Sequence, residues 1–170
     1  MGNYNINMIT ETGTASALSE SLCSLDYATN YHASRGNSAW ELLESDKQEQ
    51  ALLKATDYME AVYSQRWAGT RTTSTQALSW PRYNVFVNGY VTSSSSVPVP
   101  VIKACAELAL RAAAGELLSD STQQKTRTKV GDIEVEFDKY SPQSTQYLAI
   151  TAMLAPYFDF ASSLEHKVVR

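Results

Sequence analysis

The sequence predicts a mainly α protein: a small helical bundle with one β-hairpin at about 126–138 and an extended C-terminal tail. Three observations predict it. Two long segments, near 45–64 and 100–118, carry apolar residues at helical spacing behind recognisable start signals. A third helical stretch, from about Pro142 to Tyr157, is closed by Pro156. The run TRTKVGDIEVEFD (126–138) alternates about a Gly-Asp pair instead, as a hairpin does. With 170 residues, 44% of them hydrophobic, the chain can bury one real core. Residues 1–158 are expected to form that domain and 159–170 a tail or arm.

Taken in order, residues 4–10 alternate apolar and polar and predict a short strand, followed by the small-residue loop TGTASALSES. Ser24 is placed to cap a helix over 25–35, with Asp26 in its first turn and Gly36 as its left-handed stop. A short helix over Ser38–Leu43 follows. Ser45 and Gln48 read as a capping box that opens the first long helix. Leu52, Ala55, Met59 and Val62 form its apolar stripe, with Tyr58 and Tyr63 at the edges; Lys47, Gln50, Lys54 and Asp57 face away.

Gly69 and the threonines of 70–75 then break helicity. Pro81 holds Trp80 out of the α region, so 77–81 is extended. Residues 83–87 predict a strand that pairs back with Tyr90-Val91 across the Asn88-Gly89 turn, and Ser93–Ser96 a flexible linker. Pro100 sits in the first turn of the second long helix. There Lys103, Glu107 and Arg111 make one narrow polar stripe at i, i+4, i+8, and nearly everything else to Gly115 is apolar or small. This helix is expected to be almost surrounded, packing neighbouring helices or subunits. In the hairpin, a Gly131-Asp132 turn sets Val130 opposite Ile133, Lys129 opposite Glu134, Thr128 opposite Val135 and Arg127 opposite Glu136. The last helix offers Tyr147, Leu148, Ile150, Thr151 and Leu154 as its apolar face, and the aromatic start of FDFASSLEHKVVR predicts docking.

Composition narrows function. There is no phosphate loop, GxGxxG, GxSxG, HExxH or paired-cysteine site. No cofactor, metal or catalytic residue is expected, and the chain is not read as an enzyme. Cys23 and Cys105 read as free thiols in a reducing cytoplasm. His32 reads as a residue favoured by a helix C-terminus, and Glu134 and Glu136 as a charge-paired strand face. MGNYNINMITETG has neither a basic n-region nor an apolar h-region, so no signal peptide is expected; no window predicts a membrane helix either. The net charge of −4 is uneven. Between Glu60 and Glu107 there is no acidic residue, only Arg66, Arg71, Arg82 and Lys103, so this segment carries +4 and the remainder −8.

Within that segment lies RWAGTRTTSTQALSWPRYN (66–84), with two tryptophans, a tyrosine and three arginines. Two readings compete. In one, Trp67, Trp80 and Tyr83 stack bases while Arg66, Arg71 and Arg82 hold phosphates, each stack contributing about 1–3 kcal/mol. In the other, the six residues form a structural strap or interface, with both tryptophans buried and the arginines on protein carboxylates or carbonyls. Ala77-Leu78 anchors the segment, and the acidity of the whole chain weakens phosphate binding, so the strap is favoured.

The ordered set DY…RW-x-G-x-R…QAL-x-WPR within 39–82, then VPVIKACAELALRAAAGELL (99–118) and KVGDIEVEF (129–137), resembles phage head–tail connector proteins of the adaptor type. ETGTASALSESLCSLDYATNYHASRGNSAW and AMLAPYF extend the resemblance over about residues 10–158. Proteins described as DnaT-like single-stranded-DNA-binding are similar as well and supply the alternative. The serine-rich 93–96 and the tail beyond 158 depart from the pattern. The adaptor resemblance implies a homo-oligomeric ring, typically of twelve copies, in the neck of a virion made in the host cytoplasm. It would dock on the portal protein and present a surface to head-completion, stopper or tail proteins. Double-stranded DNA would pass through its lumen without specific binding, and Lys103, Glu107 and Arg111 would lie on a subunit-packing helix.

Overall fold

Capping chemistry sets the first boundaries in the computed structural model, which describes residues 8–118, 127–130, 133–136 and 147–159. Helix α1 (Leu25–Ala33) starts at Ser24, whose hydroxyl accepts the Tyr27 amide at 3.2 Å, and Gly36 turns the chain at φ 68°. Helix α2 (Ser38–Glu41) is a single turn. Helix α3 (Ser45–Tyr63) begins one residue earlier than the expected capping box allows. Glu44 is the boundary residue, Ser45 is already helical, and no side chain caps the end. Gln48 is buried and donates to the Trp40 carbonyl at 2.8 Å. The same carbonyl accepts the Leu43 amide at 3.2 Å, so Gln48 adds a second bond that ties α3 to the turn before it.

Leu52, Ala55 and Met59 are buried as their spacing requires, and Val62 is half-buried. Tyr58 and Tyr63 are buried as well, so the covered face of α3 is wider than the expected stripe. Helix α4 (Val99–Ala114) runs antiparallel to α3, with Thr56 Oγ1 3.5 Å from Cys105 Sγ and Lys54 bridging to Glu116 at 3.0 Å. Its alanines permit the close approach. The helix is not surrounded, however. Val101, Ala104, Cys105, Ala106, Leu108, Ala109 and Ala112 are buried, while Val99, Ala113 and Ala114 are exposed. It also stops at Ala114 rather than 118, where Gly115 becomes extended. Helix α5 (Leu148–Leu154) buries Ile150 and Leu154 but exposes Leu148, because its face is only about two turns long. A 3₁₀ turn, Ala155–Tyr157, holds Pro156 and ends it.

Among the described residues, three two-stranded antiparallel pairs accompany the helices. Thr70–Arg71 (β1) pairs with Arg82–Tyr83 (β2), a contact the sequence pattern did not predict. Phe86–Val87 (β3) pairs with Tyr90–Val91 (β4). Asn88 and Gly89 both have positive φ there, 52° and 84°, as a two-residue hairpin of this hand requires. Arg127–Val130 (β5) and Ile133–Glu136 (β6) pair in the expected register, Val130 with Ile133 through Arg127 with Glu136. Of the expected strand at 4–10, residues 4–7 lie outside the described residues, and only Thr10 pairs, in a single parallel bridge to Ser21.

Ser93–Ser96 is held in place rather than acting as a free linker. Thr72 Oγ1 donates to the Ser94 carbonyl at 3.4 Å, and Gly13 packs so tightly on Ser95 that an added Cβ would lie 2.1 Å from its oxygen. Small side chains on both sides allow that approach. The core is centred on Trp40, Trp80, Tyr63, Leu52, Met59 and Leu108. Cys23 and Cys105 are both buried free thiols; burial pushes the Cys105 thiol up to about 11 and raises Cys23 as well.

Candidate functional site: the tryptophan–arginine strap

Residues 66–84 leave the C-terminus of α3 and fold back on it. Trp67 is 4% exposed and Trp80 0%. Their rings meet edge to face, centroids 5.5 Å apart. Trp67 also packs on Phe158 at 5.2 Å and Tyr63 at 6.1 Å, and Trp80 on Tyr157 at 5.8 Å. The backbone is zipped to the C-terminal segment: Ala68 N–H donates to Tyr157 O at 2.9 Å and Asp159 N–H to Arg66 O at 2.8 Å. Neither indole nitrogen has a hydrogen-bond partner among the described residues, so the two rings contribute by packing alone. Their faces are covered, and stacking a base on them would require opening the core.

Arg82 is the hub. Its Nε donates to Ala68 O at 2.8 Å, and Nη2 to Gly69 O at 2.7 Å and Trp67 O at 3.4 Å. Its Nη1 donates to Ser79 O at 3.2 Å. Burial and the neighbouring Arg71 pull its pKa down while Glu60 opposes them; a guanidinium still stays charged in this setting. One planar fork thus ties both limbs of the strap together. Gln76 closes the tip. Its side chain donates to Leu78 O at 2.8 Å and Pro81 O at 3.0 Å, and it exchanges bonds with Thr73 through amide and side chain on each side. Thr73-x-x-Gln76 has the spacing of a capping box, a sequence signal that could have marked this tip. Glu60 accepts the Ser79 amide at 2.9 Å and hydroxyl at 2.6 Å, which fixes the strap to α3. The Trp80–Pro81 peptide is cis.

The other arginines divide. Arg71 donates to the Gln76 carbonyl and stays exposed. The guanidinium of Arg66 lies over Phe158, 4.2 Å from the ring centre, and 5.7 Å from that of Tyr63. Tyr83 is exposed.

Gly69 makes the tightest backbone approach in the strap, at φ 68° with an added Cβ only 2.0 Å from Tyr83 O. Gly69→Ala is expected to cost about 1–3 kcal/mol from strain alone, and more from the clash. Gly36→Ala, at the same φ with nothing nearby, should cost clearly less. Thermal melts of the two variants check the ordering.

A family model described as "Putative DnaT-like ssDNA binding protein" matches residues 6–170. The chain belongs to this family. No match was found among curated proteins, and none among solved structures.

Two further features of this DnaT-like chain were only partly legible in its sequence. The Glu107–Arg111 pair forms at 2.8 Å, but its ends turn inward: Tyr31 donates to Glu107 at 2.9 Å and Arg111 lies 5.8 Å from the Tyr147 ring centre. Lys103 is half-buried one turn earlier. His32 is fully buried; its Nε2 lies 3.0 Å from Ala106 O and its Nδ1 3.0 Å from Asn37 Nδ2. Those partners require a proton on Nε2 and none on Nδ1, and burial lowers its pKa. A neutral ring therefore replaces the expected dipole-favoured cation.

Sequence reasoning missed Glu11 entirely. Its Oε1 accepts the amides of Gly13 and Thr14, both at 2.7 Å, and that of Ala15 at 3.1 Å, with the Thr14 hydroxyl at 3.3 Å. Its Oε2 accepts the Ser16 amide at 3.0 Å and the Ser19 hydroxyl at 2.9 Å. The loop wraps its own carboxylate, and through Ser16 O, which accepts the Ala77 amide, it also braces the strap. Among the described residues no cluster of His, Cys, Asp or Glu could hold a metal ion, and no helix is long and apolar enough to cross a membrane.

Proposed function

We propose that the chain is a virion structural protein, a head–tail adaptor that assembles as a ring on the portal protein, extends the DNA channel and meets head-completion, stopper or tail proteins. The observation that carries this reading is the use of the strap. Trp67, Trp80 and Arg82, the residues best suited to hold nucleic acid, are spent inside the fold. What remains for partners is an acidic molecule with an exposed apolar β3–β4 hairpin, suited to protein contacts and to a lumen through which DNA slides. Many weak contacts around a closed ring give a durable assembly with no catalytic step. The purified protein is expected to co-sediment with portal-containing heads; persistent monomers that never bind them would sink the proposal.

The family description and the exposed Tyr83, Phe86, Tyr90 and Arg71 favour a second reading, single-stranded DNA binding. It requires salt-sensitive affinity for oligonucleotides, lost on Tyr83→Ala or Tyr90→Ala. A flat titration at low salt removes it. Trp80→Ala is unsuitable for this test, because loss of binding there would follow from loss of folding.

A further inference from the structure

The β3–β4 hairpin exposes an apolar surface that none of the described residues covers. Phe86 is 60% exposed, Tyr90 79% and Val91 66%, and Tyr83 and Arg71 of the preceding β1–β2 pair are exposed as well. The turn is a rigid two-residue type, so these side chains are presented rather than loosely tethered. At the far end of the molecule Leu42 is 84% exposed in the α2–α3 corner, between exposed Glu41, Glu44 and Asp46. The corner precedes the N-terminus of α3 and the strap continues from its C-terminus. A helix of 19 residues sets the two ends roughly 28 Å apart. Antiparallel α4 brings Lys103, in its second turn, to the hairpin end.

The two ends differ in charge. Among the described cations of the hairpin end, Arg71 is exposed and Lys103 half-buried, while Arg66 lies over Phe158 and Arg82 is bonded inside the strap. Of the described carboxylates there, Glu60 is turned onto Ser79, Glu11 is wrapped by its own loop, and Asp159 is exposed. The corner carries three carboxylates and one cation, Lys47, which donates to Gln50. A helix N-terminus favours Asp46 on its own account, but it explains neither exposed Leu42 nor Glu41 ahead of it.

Building on the adaptor reading, we infer that the hairpin end of one copy docks on the Leu42 corner of the next, head to tail. The exposed carboxylates disfavour pairing corner with corner, whereas the exposed Arg71 complements them, so the contact is heterologous. Heterologous contacts close into rings when the rotation between copies permits. Phe86 and Tyr90 are the anchors, Leu42 their apolar seat, and Arg71 faces the corner carboxylates.

The test is sedimentation velocity of the full chain, with and without portal, for wild type, a hairpin variant (Phe86→Ser with Tyr90→Ser) and a corner variant (Leu42→Ser with Glu44→Lys). All four positions are exposed, so circular dichroism should show both variants folded. Each variant alone should stay monomeric where wild type assembles. An equal mixture should stop at dimers, because only one intact pair of ends remains. Assembly unaffected by either variant overturns this inference and leaves the adaptor reading standing. So does a mixture that restores no association, or a hairpin variant that assembles normally but loses portal or oligonucleotide binding. Wild type that neither self-associates nor docks on portal overturns both.

Discussion

Replacing Arg82 with alanine is expected to destabilise the protein by roughly 3–5 kcal/mol, the scale for removing a charged partner from a buried network. The reason is geometric. Four carbonyls, of Trp67, Ala68, Gly69 and Ser79, share one guanidinium, and no other described group reaches them. Removing it leaves them partly desolvated at the place where Trp67 and Trp80 enter the core. A domain of this size loses about 2–4 °C of Tm per kcal/mol, so the melting temperature should fall by roughly 6–20 °C. Arg82→Lys should recover little, because an ammonium cannot fork across both limbs. Urea unfolding of the three proteins checks this. A loss below about 1 kcal/mol, in the range of an exposed ion pair, would mean that the strap does not depend on its arginine.

Glu11→Ala should have an effect of similar size, roughly 3 kcal/mol or more, since it leaves several inward-pointing amides without an acceptor. Here pH gives a second readout. Burial opposes ionisation of Glu11, but the bonds from Ser19, Gly13, Ser16 and Thr14 outweigh it and hold the pKa below the ordinary carboxylate value. The unfolded chain titrates near 4.3, as a free glutamate does. The unfolded state therefore binds the proton first as pH falls. The contribution is complete above the unfolded pKa and is lost as pH falls through the folded one. The stability difference between wild type and Glu11→Gln should be constant near neutrality and shrink below about pH 4. A difference that grows on acidification would reverse the assignment.

Where local chemistry and tertiary packing agree, the sequence is legible. The Ser24 cap, the Asn88-Gly89 turn and the β5–β6 register each follow from a few neighbouring residues and survive in the fold. Both tryptophans were expected to be buried, because Ala77-Leu78 anchors the segment and the acidity of the chain disfavours phosphate binding. Legibility fails where a side chain serves a distant backbone group. Gln48 forsakes its own helix end for Trp40, His32 gives up its charge for Ala106, and Arg66 lies on a distant aromatic ring, that of Phe158. None of these partners lies within a local pattern. Glu11 escaped for another reason: its loop reads as ordinary small-residue coil, and only the left-handed Gly13 and Ala15 turn its amides inward. For the strap, composition named the residues but left open which way their faces turn.

The most direct test of the account is an electron-microscope image of the purified protein mixed with its portal. The adaptor reading predicts a ring of protein density coaxial with the portal channel. Bare portals beside dispersed single copies of the chain would contradict it.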